Sequence, residues 1–165
     1  MFKATARGIL PKPELYRDVT ASIAALLEGE PDPVANLANA SALLSGALDG
    51  INWCGFYLLR GGELVLGPFQ GKPACVRIAL GKGVCGTAAA RREVLVVPDV
   101  HAFPGHIACD EASRSEIVVP IVVEGALVGV LDVDAPETNR FDDEDRAGLE
   151  AFVAALVPGI RWGKL

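Results

Sequence analysis

Apolar residues recur at helical spacing near both ends of the chain. Between Pro13 and Glu28 an apolar residue falls at every fourth position from Leu15, which predicts an amphipathic helix. A second helix is predicted from Pro33 to Leu48, with Asp32 as its N-cap. A third is predicted from Asp142 to Val157, and its acidic first turn is expected to face solvent.

The middle of the chain changes to short apolar or alternating runs bounded by Gly, Pro and Asp. These runs predict six strands: Trp53–Arg60, Glu63–Leu66, Cys75–Leu80, Val94–Val97, Ser115–Val123 and Ala126–Asp134. A short helix, Val84–Arg92, and a long polar segment, 99–114, interrupt them. Loops of that length inside a compact domain are usually functional. The element order predicts an α+β fold, with a mostly antiparallel central sheet of about six strands covered by N-terminal and C-terminal helices.

Length and charge narrow the class of protein. The chain has 165 residues, which is typical of a single domain spanning 1–165. Its net charge of −6 argues against nucleic acid or an anionic membrane as a partner. The N-terminal residues have no apolar secretory region, and no apolar stretch approaches the length of a membrane span. A cytoplasmic location is therefore expected.

Two aspartates interrupt the last predicted strand. Alternation puts Asp132 and Asp134 on one face and Val133 on the other. Two carboxylates that share a face repel each other unless a cation lies between them. On the residues alone, a strand end that reaches solvent and a pocket for an ammonium group remain equally open.

Glu116 could supply a third carboxylate from the neighbouring strand. A plain two-residue turn between these strands would pair Glu116 with Val133 and place it on the wrong face. Pro120 cannot donate to the ladder, so a β-bulge between Glu116 and Val123 is predicted. That bulge would move Glu116 opposite Asp132, whereas an unbroken ladder would remove it from the site.

The first predicted strand carries aromatic residues on one face. Trp53, Gly55 and Tyr57 share that face, and Gly55 leaves a gap between the two rings. An aromatic wall for a small ligand and ordinary core packing are both open, and core packing is the commoner arrangement. Cys54 lies on the opposite face and is interpreted as a small buried apolar residue.

Three further cysteines have polar neighbours. Cys85 begins a short helix beside Lys82, a setting that lowers a thiol pKa, whereas acidic neighbours would raise the pKa of Cys109. Cys75 begins a predicted strand. Buried inert thiols, redox chemistry and a zinc site are the alternatives. The zinc alternative would use His101, His106 and Cys109 with Cys75 or Cys85, although the spacing fits no tight zinc pattern.

Five separated segments together resemble a known enzyme family. They are NWCGFY at 52–57, CVRIALGKGVCG at 75–86, HIACD at 106–110, SEIVVPI at 115–121 and GVLDVDAP at 129–136. In this order they are similar to the free methionine-(R)-sulfoxide reductases, small stand-alone GAF-domain enzymes. The resemblance extends over a core of about 15–157 and implies a GAF-like fold.

The resemblance assigns a role to each candidate residue. It implies that Cys109 is the nucleophile, Cys75 the main resolving thiol and Cys85 an auxiliary resolver. The substrate residues that it implies are Glu116, Asp132 and Asp134 around the ammonium group and Trp53 and Tyr57 around the methyl-sulfur end.

The implied reaction reduces free methionine sulfoxide by way of a cysteine sulfenic acid and an intramolecular disulfide, which thioredoxin then reduces. It needs no metal and no organic cofactor. A homodimer is plausible for a stand-alone GAF domain. The alternatives are a non-catalytic GAF sensor of a small molecule and a redox sensor that uses the same thiols.

Overall fold

The computed structural model describes residues 10–107 and 110–164. Within them the chain forms four α-helices, which are α1 (Lys12–Leu27), α2 (Pro33–Ala47), α3 (Gly83–Arg91) and α4 (Asp143–Leu156). Six strands accompany them: β1 (Trp53–Arg60), β2 (Glu63–Gln70), β3 (Arg77–Ala79), β4 (Leu95–Val97), β5 (Ser115–Val123) and β6 (Ala126–Ala135). In these residues, none of the helices is both long and apolar enough to cross a membrane.

The six strands form one antiparallel sheet in the order β3-β2-β1-β6-β5-β4. The predicted α+β class and strand number are confirmed. Two strands, β2 and β3, have a bound that differs from the prediction by two residues or more. β2 continues past Leu66 to Gln70 because it pairs with β1 as far as Cys54, and β3 begins at Arg77, so that Cys75 lies outside it.

The sheet has two unlike faces. One face packs against α1, α2 and α4 in the larger apolar core, where Cys54 is fully buried as predicted. The other face packs against α3 in a smaller cluster that includes Trp53, Tyr57 and Val130. The strand alternation that separates these residues also assigns Asp132 to the second face and Val133 to the first.

The predicted bulge between β5 and β6 is present, but its extra residue lies in the other strand. The register shifts between Ile121 and Val122, and Val128 of β6 has no partner in the ladder. An extra residue in β6 moves the pairing in the direction opposite to the one expected. Glu116 therefore lies opposite Asp134 rather than Asp132, although it still shares the face of both aspartates.

The helix starts follow the sequence with one correction. Asp32 caps α2 as predicted, its side chain accepting a hydrogen bond from the Ala35 N–H. The acidic first turn of α4 is not simply solvated, because Asp145 is fully buried there. Tyr16 Oη of α1 donates to the Asp145 carboxylate at 2.9 Å, and Lys12 Nζ donates at 2.6 Å. Asp145 therefore ties α1 to α4.

Candidate active site

A small pocket lies on the sheet face that carries α3. Strands β1, β5 and β6, the start of α3 and the segment before β5 supply its walls, which include Tyr57, Cys85, Ile107, Glu116, Asp132 and Asp134. Its free space of about 30 Å³ is enough for one or two water molecules. A second, smaller cavity shares Asp132 and Asp134 with it and extends to Trp53.

Three carboxylates converge on this pocket. Glu116 and Asp132 are each only 6% exposed, and Asp134 is partly exposed. Among the described residues, no Lys, Arg or His nitrogen lies within ion-pair distance of any of the three. Asp132 Oδ1 is buried and has no hydrogen-bond partner in the same part of the chain. Buried acids without a cation are costly to a fold, so this pocket has the properties of a site for a cationic ligand.

Burial and mutual repulsion raise the pKa of all three carboxylates. Burial raises the pKa of Asp132 from its ordinary 3.8 to about 7. Burial, followed by the charge of Asp132, also holds the pKa of Glu116 and of Asp134 well above the usual range. At least one of these groups therefore keeps a proton near neutral pH, and such a proton can be donated to a ligand.

Cys85 points into the same pocket from the first turn of α3. Its Sγ lies 3.8 Å from Glu116 Oε1. The expectation that its position at a helix start lowers the thiol pKa is wrong. Burial is the main reason that its pKa is raised well above the usual 9.0, and the nearby charges of Asp132 and Glu116 add to it. Cys85 is therefore a neutral thiol in this structure, while Lys82 is exposed.

The Trp53 and Tyr57 rings are buried in the smaller core cluster, which confirms core packing, and as an aromatic wall they also line the second cavity. The wall contains one more ring than the sequence indicated. The Trp53 ring stacks on Phe69, with centroids 5.3 Å apart, and lies 6.0 Å from the Tyr57 ring. Gly55 makes this stack possible, since a Cβ there would lie 2.3 Å from the Phe69 Cβ. Phe69 therefore fills the gap left by Gly55. Sequence reasoning missed it because the predicted second strand ended at Leu66.

Two residues of the aromatic wall also donate hydrogen bonds to the backbone of the segment that leads to Cys75. Trp53 Nε1 donates to the Lys72 carbonyl at 3.1 Å, and Tyr57 Oη donates to the Cys75 carbonyl at 3.0 Å. Cys75 is partly exposed, whereas Tyr57 is buried. The two rings assigned to the substrate thus also fix the backbone of the candidate resolving thiol.

The segment before β5 is anchored on both sides of its undescribed residues. Asn52 Nδ2 donates to Asp110 Oδ2 at 3.2 Å and to Ser113 Oγ at 3.0 Å. On the other side, the Ile107 side chain lies over Gly83, where a Cβ would approach it to 3.2 Å and where φ is +59°. Cys109, the candidate nucleophile, lies outside the described residues. Asn52 belongs to a motif noted in the sequence, but nothing in that motif indicated its contacts.

The possible metal ligands that the structure brings together differ from the zinc ligands that the sequence suggested. The rings of His101 and His106 lie 6.2 Å apart, and His101 Nδ1 lies 3.2 Å from Asp99 Oδ1. The ligand set with Cys109 cannot be placed, because that residue is outside the described ranges. Within those ranges, a different set has ligand spacing: one atom each from Cys85, Glu116 and Asp132, all within 4.8 Å of one another.

Comparisons with known proteins agree with this fold. Residues 15–157 match the family model of the GAF domain. The chain is 57% identical to the free methionine-R-sulfoxide reductase of Escherichia coli K12, over 88% of each chain. It superposes with a TM-score of 0.91 on the free methionine-R-sulfoxide reductase of Neisseria meningitidis in complex with its substrate, at 44% identity over 99% of this chain and 98% of that one. A protein of Burkholderia vietnamiensis that is named a GAF sensor matches with a TM-score of 0.90 and 61% identity, over 94% of this chain and 98% of that one.

Proposed function

Since the chain belongs to the GAF family and, within it, to the free methionine-R-sulfoxide reductases, we propose that it reduces free L-methionine (R)-S-oxide to methionine. The observation that carries the proposal is the buried acidic pocket in which Asp132 Oδ1 has no partner among the described residues. The ammonium group of a free amino acid supplies the charge and the donors that this pocket lacks.

The same pocket accounts for a preference for the free amino acid. In a peptide, the methionine nitrogen is a neutral amide with one hydrogen at most. Binding it would leave the buried Glu116 and Asp132, and the partly exposed Asp134 beside them, without a cation. A site built to pair a charged group rejects an analogue that lacks the charge by several kcal/mol, on the order of 10³-fold or more.

The aromatic wall supports the placement of the other end of the substrate. Trp53 and Tyr57 present apolar ring surface in the cavity that shares Asp132 and Asp134 with the acidic pocket. The methyl-sulfur group of methionine is apolar and polarizable, and it packs favourably on aromatic rings. We assign the sulfoxide group to the space between this wall and the segment that contains Cys109.

The proposed chemistry follows from a thiol and a protonated carboxyl group. The Cys109 thiolate attacks the sulfoxide sulfur, and the sulfoxide oxygen takes up one proton and passes to the Cys109 sulfur as its bond to the methionine sulfur breaks. Glu116, whose pKa is raised by burial, is a suitable proton donor. Methionine leaves, and Cys109 becomes a sulfenic acid. The Cys75 thiol then condenses with the sulfenic acid, which releases water and forms a disulfide.

Turnover requires that this disulfide be reduced again. A dithiol protein of the thioredoxin type would do so by thiol–disulfide exchange. The partly exposed Cys75 is accessible for that exchange, whereas the buried Cys85 is assigned the auxiliary role. The steps use two thiols, one external dithiol and protons, and no metal or organic cofactor takes part in them.

A non-catalytic GAF sensor is the second candidate, and the similarity to a protein named as a sensor favours it. The two candidates differ at Cys109. The enzyme requires its thiol for turnover, whereas a sensor would bind a small molecule in the acidic pocket without chemistry.

The test is a thioredoxin-linked assay that offers the separated R and S epimers of free methionine sulfoxide. We expect turnover of the R epimer alone, lost in Cys109→Ser with binding of the ligand retained. Cys54→Ser is the matched control, because Cys54 lies on the other sheet face and its Sγ contacts the Ser41 carbonyl at 3.3 Å, a bond that serine preserves. Turnover that survives in Cys109→Ser, or no turnover by the wild type, contradicts the proposal.

A further inference from the structure

The acidic pocket combines carboxylates with a thiol, which recognition of an ammonium group does not require. Cys85 Sγ, a Glu116 oxygen and an Asp132 oxygen lie within 4.8 Å of one another, and all three side chains are at least nine-tenths buried. We propose that Cys85, Glu116 and Asp132 form a binding site for a zinc ion in the reduced protein.

The spacing of the ligand atoms suits a tetrahedral ion. Zinc–sulfur and zinc–oxygen bonds of about 2.3 and 2.1 Å at a tetrahedral angle place sulfur and oxygen about 3.6 Å apart. Cys85 Sγ and Glu116 Oε1 are 3.8 Å apart, so little movement is needed. Three protein ligands leave a fourth position for water, and the pocket's free space of about 30 Å³ accommodates an ion with one water.

A polar atom without a partner points to a ligand at this position. Asp132 Oδ1 is buried, and no described residue donates a hydrogen bond to it. His106 Nδ1, in the same pocket, is also buried and unpartnered among the described residues. A cation here would offset the repulsion between the buried carboxylates of Glu116 and Asp132.

The thiol determines which metal ion is expected. Thiolate sulfur is a soft ligand that favours zinc over magnesium or calcium, both of which prefer oxygen ligands. Binding displaces the proton of Cys85, so affinity should increase with pH as the thiol and the carboxyl groups give up their protons. Cobalt(II) takes similar sites and reports on them, because a cobalt–thiolate bond absorbs in the near ultraviolet.

The proposal that zinc binds rests on the geometry of the site alone. The effect of zinc on activity rests on the proposed function. If Asp132 and Glu116 hold the substrate's ammonium group, the ion and the substrate exclude each other. Zinc would then inhibit the reductase reversibly and would keep Cys85 from forming a disulfide.

The experiment titrates cobalt(II), then zinc, into the full-length reduced protein carrying Cys75→Ser and Cys109→Ser. In this background the remaining cysteines are Cys54 and Cys85. We expect one equivalent of cobalt to bind with a thiolate absorption band, and zinc to displace it. Adding Cys54→Ser should leave the band unchanged, and adding Cys85→Ser should abolish it.

Asp132→Asn removes one anionic ligand with little change of shape. We expect it to weaken binding by more than the roughly 10–100-fold that loss of an outer-shell partner costs. Thermal unfolding of each variant verifies that it is folded, and Cys85→Ala replaces Cys85→Ser if that variant is not. Absence of the band, or a band that survives the loss of Cys85, overturns the proposal. Neither result depends on sulfoxide turnover, so a failed reductase assay is distinguishable from a failed metal site.

Discussion

Two buried aspartates occupy opposite sides of this fold in contrasting surroundings. Asp145, between α1 and α4, accepts hydrogen bonds from Tyr16, Lys12 and Arg140. Asp132, on the other side of the sheet, has acidic neighbours and a buried oxygen without a partner in the described chain. The first carboxylate is fully used within the fold, so its role is structural. The second is available to a ligand, and the comparison separates a stabilising charge from a functional one.

The largest expected effect comes from Asp132→Asn. Removing this charge should lower kcat/KM for free methionine sulfoxide by about 100–1,000-fold, because a charge-assisted hydrogen bond to the ammonium group is lost. Its free energy of unfolding should not fall at pH 8, since the repulsion with Glu116 also disappears. The assay and urea unfolding measure the two quantities, and a loss of stability with normal activity would reverse the assignment.

Asp145→Asn should have the opposite pattern. It leaves Lys12 and Arg140 without their buried partner, so the free energy of unfolding should fall by about 3 kcal/mol. Folded protein should keep wild-type kcat/KM, because Asp145 lies across the sheet from the pocket. Urea unfolding with the assay at a temperature below the transition gives both numbers. Lost activity in fully folded Asp145→Asn protein would show that the two regions are not independent.

The pH dependence of stability sharpens the same comparison. Asp132 has a folded pKa of about 7 against 3.8 in the unfolded chain. Between these values the unfolded state has released the proton and the folded state holds it, so stability falls as the pH rises. Asp132→Asn removes this contribution. The variant should therefore gain about 1–3 kcal/mol relative to the wild type between pH 5 and pH 8. Urea unfolding of both proteins over this pH range measures the difference. If the free energy of unfolding changed with pH in the same way for both, the raised pKa of Asp132 would be contradicted.

The smallest expected effect concerns two asparagines with similar hydrogen bonds. Asn52 donates to Asp110 and Ser113 beside the pocket, while Asn36 donates to the Glu30 and Gly159 carbonyls on the helical side. Each lost pair of bonds is worth about 1–2 kcal/mol. Asn52→Ala should lower kcat/KM about tenfold by loosening the segment next to Cys109. Asn36→Ala should lower only the unfolding free energy. Equal kcat/KM for the two variants would remove Asn52 from the positioning role.

The sequence was sufficient for features that depend on periodicity. Alternation in β6 separated Asp132 from Val133, and the helical spacing from Leu15 predicted α1, because both patterns are local. The register of Glu116 was not local. It depends on which strand carries the extra residue, and Pro120 favoured the wrong one, since the extra residue is Val128 of β6.

Features set by packing were also beyond the sequence. The raised pKa of Cys85 follows from burial against Glu116 and Asp132, which outweighs the helix start that is visible in the sequence. Burial of Asp145 follows from its contact with Tyr16, far away in the chain. The positions of such groups depend on tertiary contacts that no local pattern specifies.

The most direct test of the ammonium pocket compares two substrates that differ only at nitrogen. The kcat/KM of the wild type should be on the order of 1,000-fold or more higher for free methionine (R)-sulfoxide than for its N-acetyl derivative, whose nitrogen is neutral. Asp132→Asn should reduce this preference, because the charge that selects the ammonium group is gone. Equal kcat/KM for the two substrates in the wild type would contradict the account.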